Sequence, residues 1–403
     1  MTGRDGKKVR RRRVFYIPGY DPIHPRRYRE LYRKEGAAQA AVSGHEIALR
    51  PKTGGGPYGW HVAARIEGAP VETDFEVLVW SDIVRDSMAP GIGATYLQLA
   101  RTAWIYIASG ALPRLVRLRQ GPVIAAFYPV LMLLGQLALA LLVARGAGAA
   151  LALSGVPFVG WLGLALAWPV LAWFRRHDNR LYAYYLMHDY AFSARWRGAN
   201  PPALEARLEA FRDTVAEALR GEVDEVLVVG HSSGAHLAVS VLADLIRAGA
   251  APKGGPALSL LTLGQVVPMV SFLPQAGRLR ADLAYLSARD EIAWVDVTAP
   301  GDGCAFALCD PVSVSGVAPK GKRWPLVISA AFTRTLSPAR WQELRWRFFR
   351  LHFQYLCAFD RPGDYDYFRV TAGPMTLGAR YAGRAPSKSR IETPLSPYRS
   401  VAP

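Results

Sequence analysis

Gly230-His231-Ser232-Ser233-Gly234 places a serine between two glycines in G-x-S-x-G spacing. It lies directly after the apolar run Val226-Leu-Val-Val229 and before Ala235-His-Leu-Ala238. This is the sequence form of a nucleophile elbow, a sharp strand-to-helix turn that holds a hydroxyl clear of the backbone for attack on a carbonyl carbon. The flanking glycines let neighbouring main chain pass where a Cβ would collide. The pentapeptide alone is a weak signal, and its surroundings give it weight. Upstream, Leu204, Leu208, Phe211, Val215 and Leu219 recur at helical spacing, and downstream Leu237, Val241, Leu242 and Leu245 do the same. The segment therefore reads helix, strand, turn, helix, which is an α/β unit around a buried parallel strand.

With its Gly-His-Ser-x-Gly form, the arrangement resembles the α/β-hydrolase superfamily, in particular its lipase and esterase branch. The resemblance implies an α/β-hydrolase fold, a mostly parallel central sheet flanked by helices, with Ser232 as nucleophile and no cofactor or metal. A serine hydroxyl is a poor nucleophile at neutral pH, so a histidine must take its proton and a carboxylate must hold that histidine's tautomer. In this superfamily the acid follows the serine and the histidine comes last. Two histidines follow Ser232. His236 lies one helical turn beyond it, from where its ring does not easily reach back, which leaves His352. The form His352-Phe-Gln-Tyr355 resembles the histidine region of some lipase-type hydrolases, although a long connector separates the last expected strand, ending at Ala331, from His352.

The expected strand Ile292-Ala-Trp-Val-Asp-Val297 runs into Thr298-Ala-Pro-Gly-Asp302-Gly303. An acid just beyond a strand sits at the carboxyl edge of the sheet, where ligands bind, so Asp302 is the candidate. Asp296 is an alternative or a buried hydrogen-bonding partner, and Asp290 and Asp310 read as solvated. Two backbone amides should stabilise the oxyanion: that of Ser233, and one from the loop Pro18-Gly19-Tyr20 after the first strand, donated by Gly19 or Tyr20. His231, Trp80-Ser-Asp82 and the Tyr182 to Tyr190 aromatic run read as packing or pocket lining. Asp364 and Asp366 alone do not make a metal site.

Elements to hold these groups can be drawn along the 403 residues. Residues 1–13 form a basic arm. Residues 14–119 carry the first part of the α/β domain, with strands at Val14–Ile17, His45–Leu49, His61–Ile66 and Phe75–Trp80 and a charged helix over 25–42. Residues 175–372 complete it, with strands at Leu258–Leu263, Ile292–Val297 and Leu326–Ala331 after the turn at Ser232. A Pro/Gly/Ser/Arg-rich tail, 373–403, has no periodicity and reads as loop or disordered.

Between the two parts, Gln120–Ala144 and Gly146–Phe174 contain no charged residue. Each exceeds the roughly 20 residues that a bilayer-spanning helix needs, so residues 120–174 read as an inserted transmembrane helical hairpin. Gly135, Gly160 and Gly163 would let its helices approach closely. Arg114, Arg117 and Arg119 precede it, Arg175, Arg176 and Arg180 follow it, and Arg145 stands in the expected turn; this places both flanks and the catalytic body on the cytoplasmic side of the inner membrane. No apolar core follows the N-terminal charges, so no secretory signal is expected. Cys304, Cys309 and Cys357, odd in number and without metal-ligand spacing, suit a reducing compartment.

Lys and Arg exceed Asp and Glu by 17. No nucleic-acid motif accompanies the excess, and attraction to anionic lipid accounts for it. The expectation is a membrane-anchored serine hydrolase that cleaves a carboxylic ester, with lipid or acyl substrates favoured and the bilayer as partner. Thioesterase, peptidase and acyltransferase chemistry share the acyl-enzyme step. A non-catalytic membrane scaffold that retains the fold is the rival from another class.

Overall fold

Alternation of side chains along the first strand divides the molecule into two layers. Phe15 and Ile17 of β1 (Arg11–Ile17) pack into one apolar core, and Val14 and Tyr16 into another on the opposite face. The computed structural model describes residues 8–88, 91–251 and 254–402. The other strands are β2 (Glu46–Pro51), β3 (Gly59–Ile66), β4 (Ala69–Val77), β5 (Glu225–His231), β6 (Ala257–Leu263), β7 (Ile292–Thr298) and β8 (Leu326–Ser329). They form one sheet in the order β2-β3-β4-β1-β5-β6-β7-β8. β2, β3 and β4 are antiparallel neighbours, and every pairing from β4 across to β8 is parallel. The chain is thus an α/β protein with a mixed sheet.

Helices α1 (Arg26–Ser43), α2 (Ile92–Ala108), α3 (Gln120–Ala152), α4 (Ala167–Arg176), α5 (Ala183–Arg195), α6 (Pro202–Leu219), α7 (Gly234–Arg247), α8 (Gly277–Ser287) and α9 (Phe348–His352) account for most of the helical residues. β5 is buried along its whole length. The reason is its Val-Leu-Val-Val run between two covered faces: α6, α7 and α8 pack on one side, α1 and C-terminal residues on the other. The register of β1 on β5 pairs Ile17 with Gly230. The loop leaving β1 therefore emerges beside the turn leaving β5.

Residues 8–13 and 373–402 are more ordered than their composition implies. Residues 1–7 of the basic arm lie outside the described residues, but Arg11, Arg12 and Arg13 belong to β1. Arg12 is fully buried, with its Nε 2.6 Å from Glu225 and its other nitrogens donating to the carbonyl oxygens of Gly373 and Met375. Removing either partner would leave a buried charge unpaired, at a cost of about 3–5 kcal/mol. These bonds also hold the start of the C-terminal tail. Farther on, Ser387 donates its amide to Val327, Ile391 to Leu308, and Arg280 binds the carbonyl of Ser400. Satisfied main-chain groups, which periodicity does not reveal, keep the tail against the sheet.

The apolar insertion departs from two equal spans. α3 is one helix of 33 residues, about 50 Å long at 1.5 Å per residue, and it contains Arg145. Among the described residues it is the one helix long and apolar enough to cross a membrane. The turn follows at residues 153–158, where Gly155 and Phe158 take positive φ and Pro157 interrupts. The expected second span is a 3-10 segment, Val159–Leu166, leading into the ten-residue α4. It folds back against α3 through glycines. A Cβ on Gly163 would lie 2.3 Å from the Ala144 carbonyl oxygen, and one on Gly148 2.4 Å from that of Gly160. Gly135 meets nothing within 4 Å and takes no part in this contact. The outward faces stay apolar and exposed: Leu142 is 66% accessible, Phe158 84% and Trp161 70%.

Candidate active site

Ser232 occupies the one-residue step between β5 and the cap of α7, with φ of 57°. A non-glycine residue there costs on the order of 1–3 kcal/mol and persists because its surroundings over-determine it. Gly234 lies so close to β1 that an added Cβ would stand 2.1 Å from the Ile17 carbonyl oxygen, and one on Gly230 would stand 2.6 Å from that of Gly234. Both glycines of the pentapeptide are thus fixed by packing.

The β1 loop closes over the serine. A Cβ on Gly19 would lie 3.0 Å from Ser232 Cβ and 3.4 Å from its Oγ. The loop is pinned from behind, where Trp80 Nε1 donates to the Pro18 carbonyl at 2.9 Å, so Trp80 supports the site as well as the core. Among the described residues, the backbone amides of Gly19, Tyr20 and Ser233 have no hydrogen-bond acceptor, and all three residues line the cavity that contains Ser232. Unpaired amides converging beside a serine are what an oxyanion site requires.

His352 and Asp302 meet although 50 positions separate them: Nδ1 of the imidazole lies 2.7 Å from the carboxylate Oδ2. Short helices between β8 and His352 turn the chain back over the sheet edge, which is why the long connector does not displace the histidine. Asp302 is held by a turn at the end of β7, its amide donating to Ala299. Its Oδ1 accepts from the Cys304 amide at 2.9 Å, and its Oδ2 also accepts from the Tyr355 hydroxyl at 3.0 Å. Burial opposes ionisation of Asp302, but the His352 imidazole and these donors outweigh it, and its pKa is lowered. Bound in this way, the carboxylate holds Nδ1 protonated and leaves Nε2 as the basic nitrogen. Gly264, at φ of 53°, makes room for the ring, since a Cβ there would be 3.0 Å from His352 Cε1.

Ser232 and His352 face one cavity of about 650 Å³, with no direct hydrogen bond between them among the described residues. Such contacts in ligand-free sites commonly tighten only once substrate is bound.

Two supporting residues were missed by sequence reasoning or given a smaller part. His231 donates from Nε2 to the backbone carbonyl of His352 at 3.0 Å, and its Nδ1 accepts from Tyr16 at 3.3 Å. Burial lowers its pKa to about 3, so it remains neutral. It fixes the main chain that carries the candidate base, and its position beside the serine was the available signal. The Tyr355 hydroxyl also accepts from the Ala299 amide at 3.0 Å, tying the acid's loop to the histidine's segment.

His236 is buried in α7, with its Nδ1 unpartnered. Asp290 is exposed, as expected. Asp310, expected to be solvated, is buried instead, capping a helical turn and binding Lys322 Nζ at 2.5 Å. Asp366 caps another short helix, and Asp364 pairs with Arg384. The Cys304 thiol lies within 4.8 Å of ligand atoms of Asp302 and His352. Both Asp302 oxygens are already engaged, and burial pushes the thiol pKa well up.

Asp296 points away from this network. Its Oδ1 accepts from Thr262 at 2.6 Å, its Oδ2 is buried without a partner, and burial raises its pKa to about 8. Folding favours the protonated acid, so its stabilising contribution is complete below the unfolded value of about 4 and is lost as pH rises toward 8. Asp296→Asn should flatten this dependence by up to about 1.4 kcal/mol per pH unit, and so stabilise the protein more at pH 8 than at pH 5 in urea unfolding. Equal effects at the two pH values would show that Asp296 is ionised in the fold.

Comparison with protein-family models, with curated proteins and with solved structures returns no match to this chain.

Proposed function

We propose that this protein is a membrane-anchored serine hydrolase of the α/β-hydrolase type, which cleaves carboxylic esters of acyl or lipid substrates. The observation that carries the proposal is the strained turn at Ser232 opening into the same cavity as an imidazole whose Nδ1 is held by a buried carboxylate.

In the reaction, Ser232 Oγ attacks the ester carbonyl carbon as its proton passes to His352 Nε2. The oxyanion accepts hydrogen bonds from the amide of Ser233 and from that of Gly19 or Tyr20. Collapse breaks the bond to the alcohol, which leaves with the proton from Nε2, and an acyl group remains on Oγ. Water then attacks that acyl group, with His352 again taking and returning a proton, and releases the acid. Asp302 orients the ring and stabilises its charged form throughout. A fluorophosphonate should label the parent protein and fail to label Ser232→Ala; equal labelling of the two would place the nucleophile elsewhere.

An acyl substrate is favoured by a second, apolar chamber of about 110 Å³ between α2, α3 and α5. It shares the walls Tyr106, Tyr190 and Met269 with the site cavity. Each methylene buried there would contribute about 0.8 kcal/mol. Ala103→Phe, which fills the chamber, should reduce the preference for octanoyl over acetyl esters by about tenfold or more in kcat/KM. An unchanged ratio would place the chain elsewhere.

The membrane reading rests on α3 and its exposed apolar partner segment. Pro122 at the base of α3 and, after α4, Asp178, Asn179, Tyr182 and Tyr185 line the site cavity, so a hairpin in the bilayer would hold the mouth of the site near the lipid surface. With both arginine-rich flanks cytoplasmic, Ser154→Cys in the turn should react with an impermeant thiol reagent applied from the opposite side of the membrane. Reaction only from the cytoplasmic side would reject the topology.

A further inference from the structure

The stripe of α5 that faces the site carries Leu186, Asp189, Tyr190 and Ser193, at the spacing of one helical face, and all four line the cavity containing Ser232. Three carboxylates line that cavity, Asp21, Asp178 and Asp189, and the first two are already engaged in hydrogen bonds. Asp21 accepts from the Ile23 amide, the Tyr28 hydroxyl and Arg27. Asp178 accepts from the amides of Tyr184 and Tyr185 at 2.9 Å each. Asp189 differs from both: it has no hydrogen-bond partner among the described residues, and the His352 imidazole lies within its electrostatic reach.

Asp189 is half-buried in the cavity wall, so its carboxyl is partly withdrawn from water and opens to the cavity without a protein partner. Three tyrosines in its electrostatic reach direct their hydroxyls elsewhere, Tyr20 to Ser87, Tyr106 to Met269 and Tyr185 to Tyr20. The cavity thus keeps open an acceptor beside the candidate base. The apolar chamber behind Tyr106 and Tyr190 suits the acyl chain, which leaves the polar wall to the alcohol portion of an ester.

We propose that Asp189 is a substrate-recognition residue that binds a hydroxyl or ammonium group on the alcohol portion of the ester. Burial raises the Asp189 pKa to about 7. The side chain can therefore bond a hydroxyl in either protonation state, and an ammonium group would draw it into the ionised one. The proposal rests on the hydrolase reading for turnover, and not for binding.

Two matched pairs of esters test it: 2-hydroxyethyl against propyl octanoate, and octanoylcholine against its uncharged 3,3-dimethylbutyl isostere. The parent protein should prefer the polar member of at least one pair by about tenfold in kcat/KM, with the difference in KM. Asp189→Leu should level that pair. Asp189→Asn, which retains hydrogen bonding without charge, should keep part of a hydroxyl preference and lose an ammonium preference, which identifies the group recognised. Binding of the same esters to Ser232→Ala, measured directly, should show the same preference without turnover. If the parent favours neither polar ester, or if Asp189→Leu keeps the preference, the assignment is overturned. Preferential binding by Ser232→Ala alongside no turnover by the parent would reject the hydrolase reading while leaving Asp189 in its role.

Discussion

Ser232→Ala and His352→Ala should each lower ester turnover by about 10⁶-fold, and the double variant should lose little more than either single one. In the proposed mechanism the two side chains act on one proton. Without the serine no oxygen is present to be deprotonated, and without the imidazole the hydroxyl stays a poor nucleophile however well the turn presents it. A residue that only shaped the cavity would combine additively with Ser232→Ala. The double-variant comparison therefore separates a reacting unit from two independent contributions, and losses that multiply would dismiss His352 as the base. Some acceleration should survive in all three variants, supplied by the amides of Gly19, Tyr20 and Ser233 and by substrate binding.

Asp302→Asn should cost about 10⁴-fold in kcat while leaving the fold in place. Oδ2 accepts from both His352 Nδ1 and Tyr355, and Oδ1 accepts from a backbone amide. An asparagine can offer an oxygen to only one side. If its oxygen keeps the Cys304 amide, its NH2 group faces the imidazole and favours the tautomer with the proton on Nε2, which is unable to take a proton from Ser232. The loss should appear in kcat rather than in KM, and the pH profile should change with it. A drop confined to KM would mean that Asp302 serves substrate binding alone.

How far the sequence foretold these groups depended on how local their determinants are. The strand, turn and helix around Ser232 follow from residues adjacent in the chain: an apolar run, two glycines and a helical repeat. Helix α1 and the strands around the 54–57 turn were legible for the same reason. The order of the sheet was not, because β1 lies between β4 and β5 through pairings that no local pattern encodes. Arg12 illustrates the limit. In the sequence it is one of a run of arginines suited to a solvated arm, whereas in the fold it is buried on Glu225, which lies 213 positions away. Hydropathy likewise overstated the second apolar stretch, since Gly155, Pro157 and the left-handed Phe158 interrupt a segment uniform in composition. Asp302 and His352 were selectable by order along the chain, but the support they receive from His231, Tyr16 and Tyr355 depends on close approaches that only the folded chain supplies.

The account stands most directly on the acyl-enzyme. Rapid acid quenching of the protein with a slowly hydrolysed acyl ester, followed by mass spectrometry of its peptides, should find the acyl group on the peptide containing Ser232, accumulating before steady-state release of acid. No such adduct should form with Ser232→Ala. Turnover of the ester with the acyl group on another residue, or with none trapped on Ser232 under conditions where the alcohol is released in a burst, would contradict it.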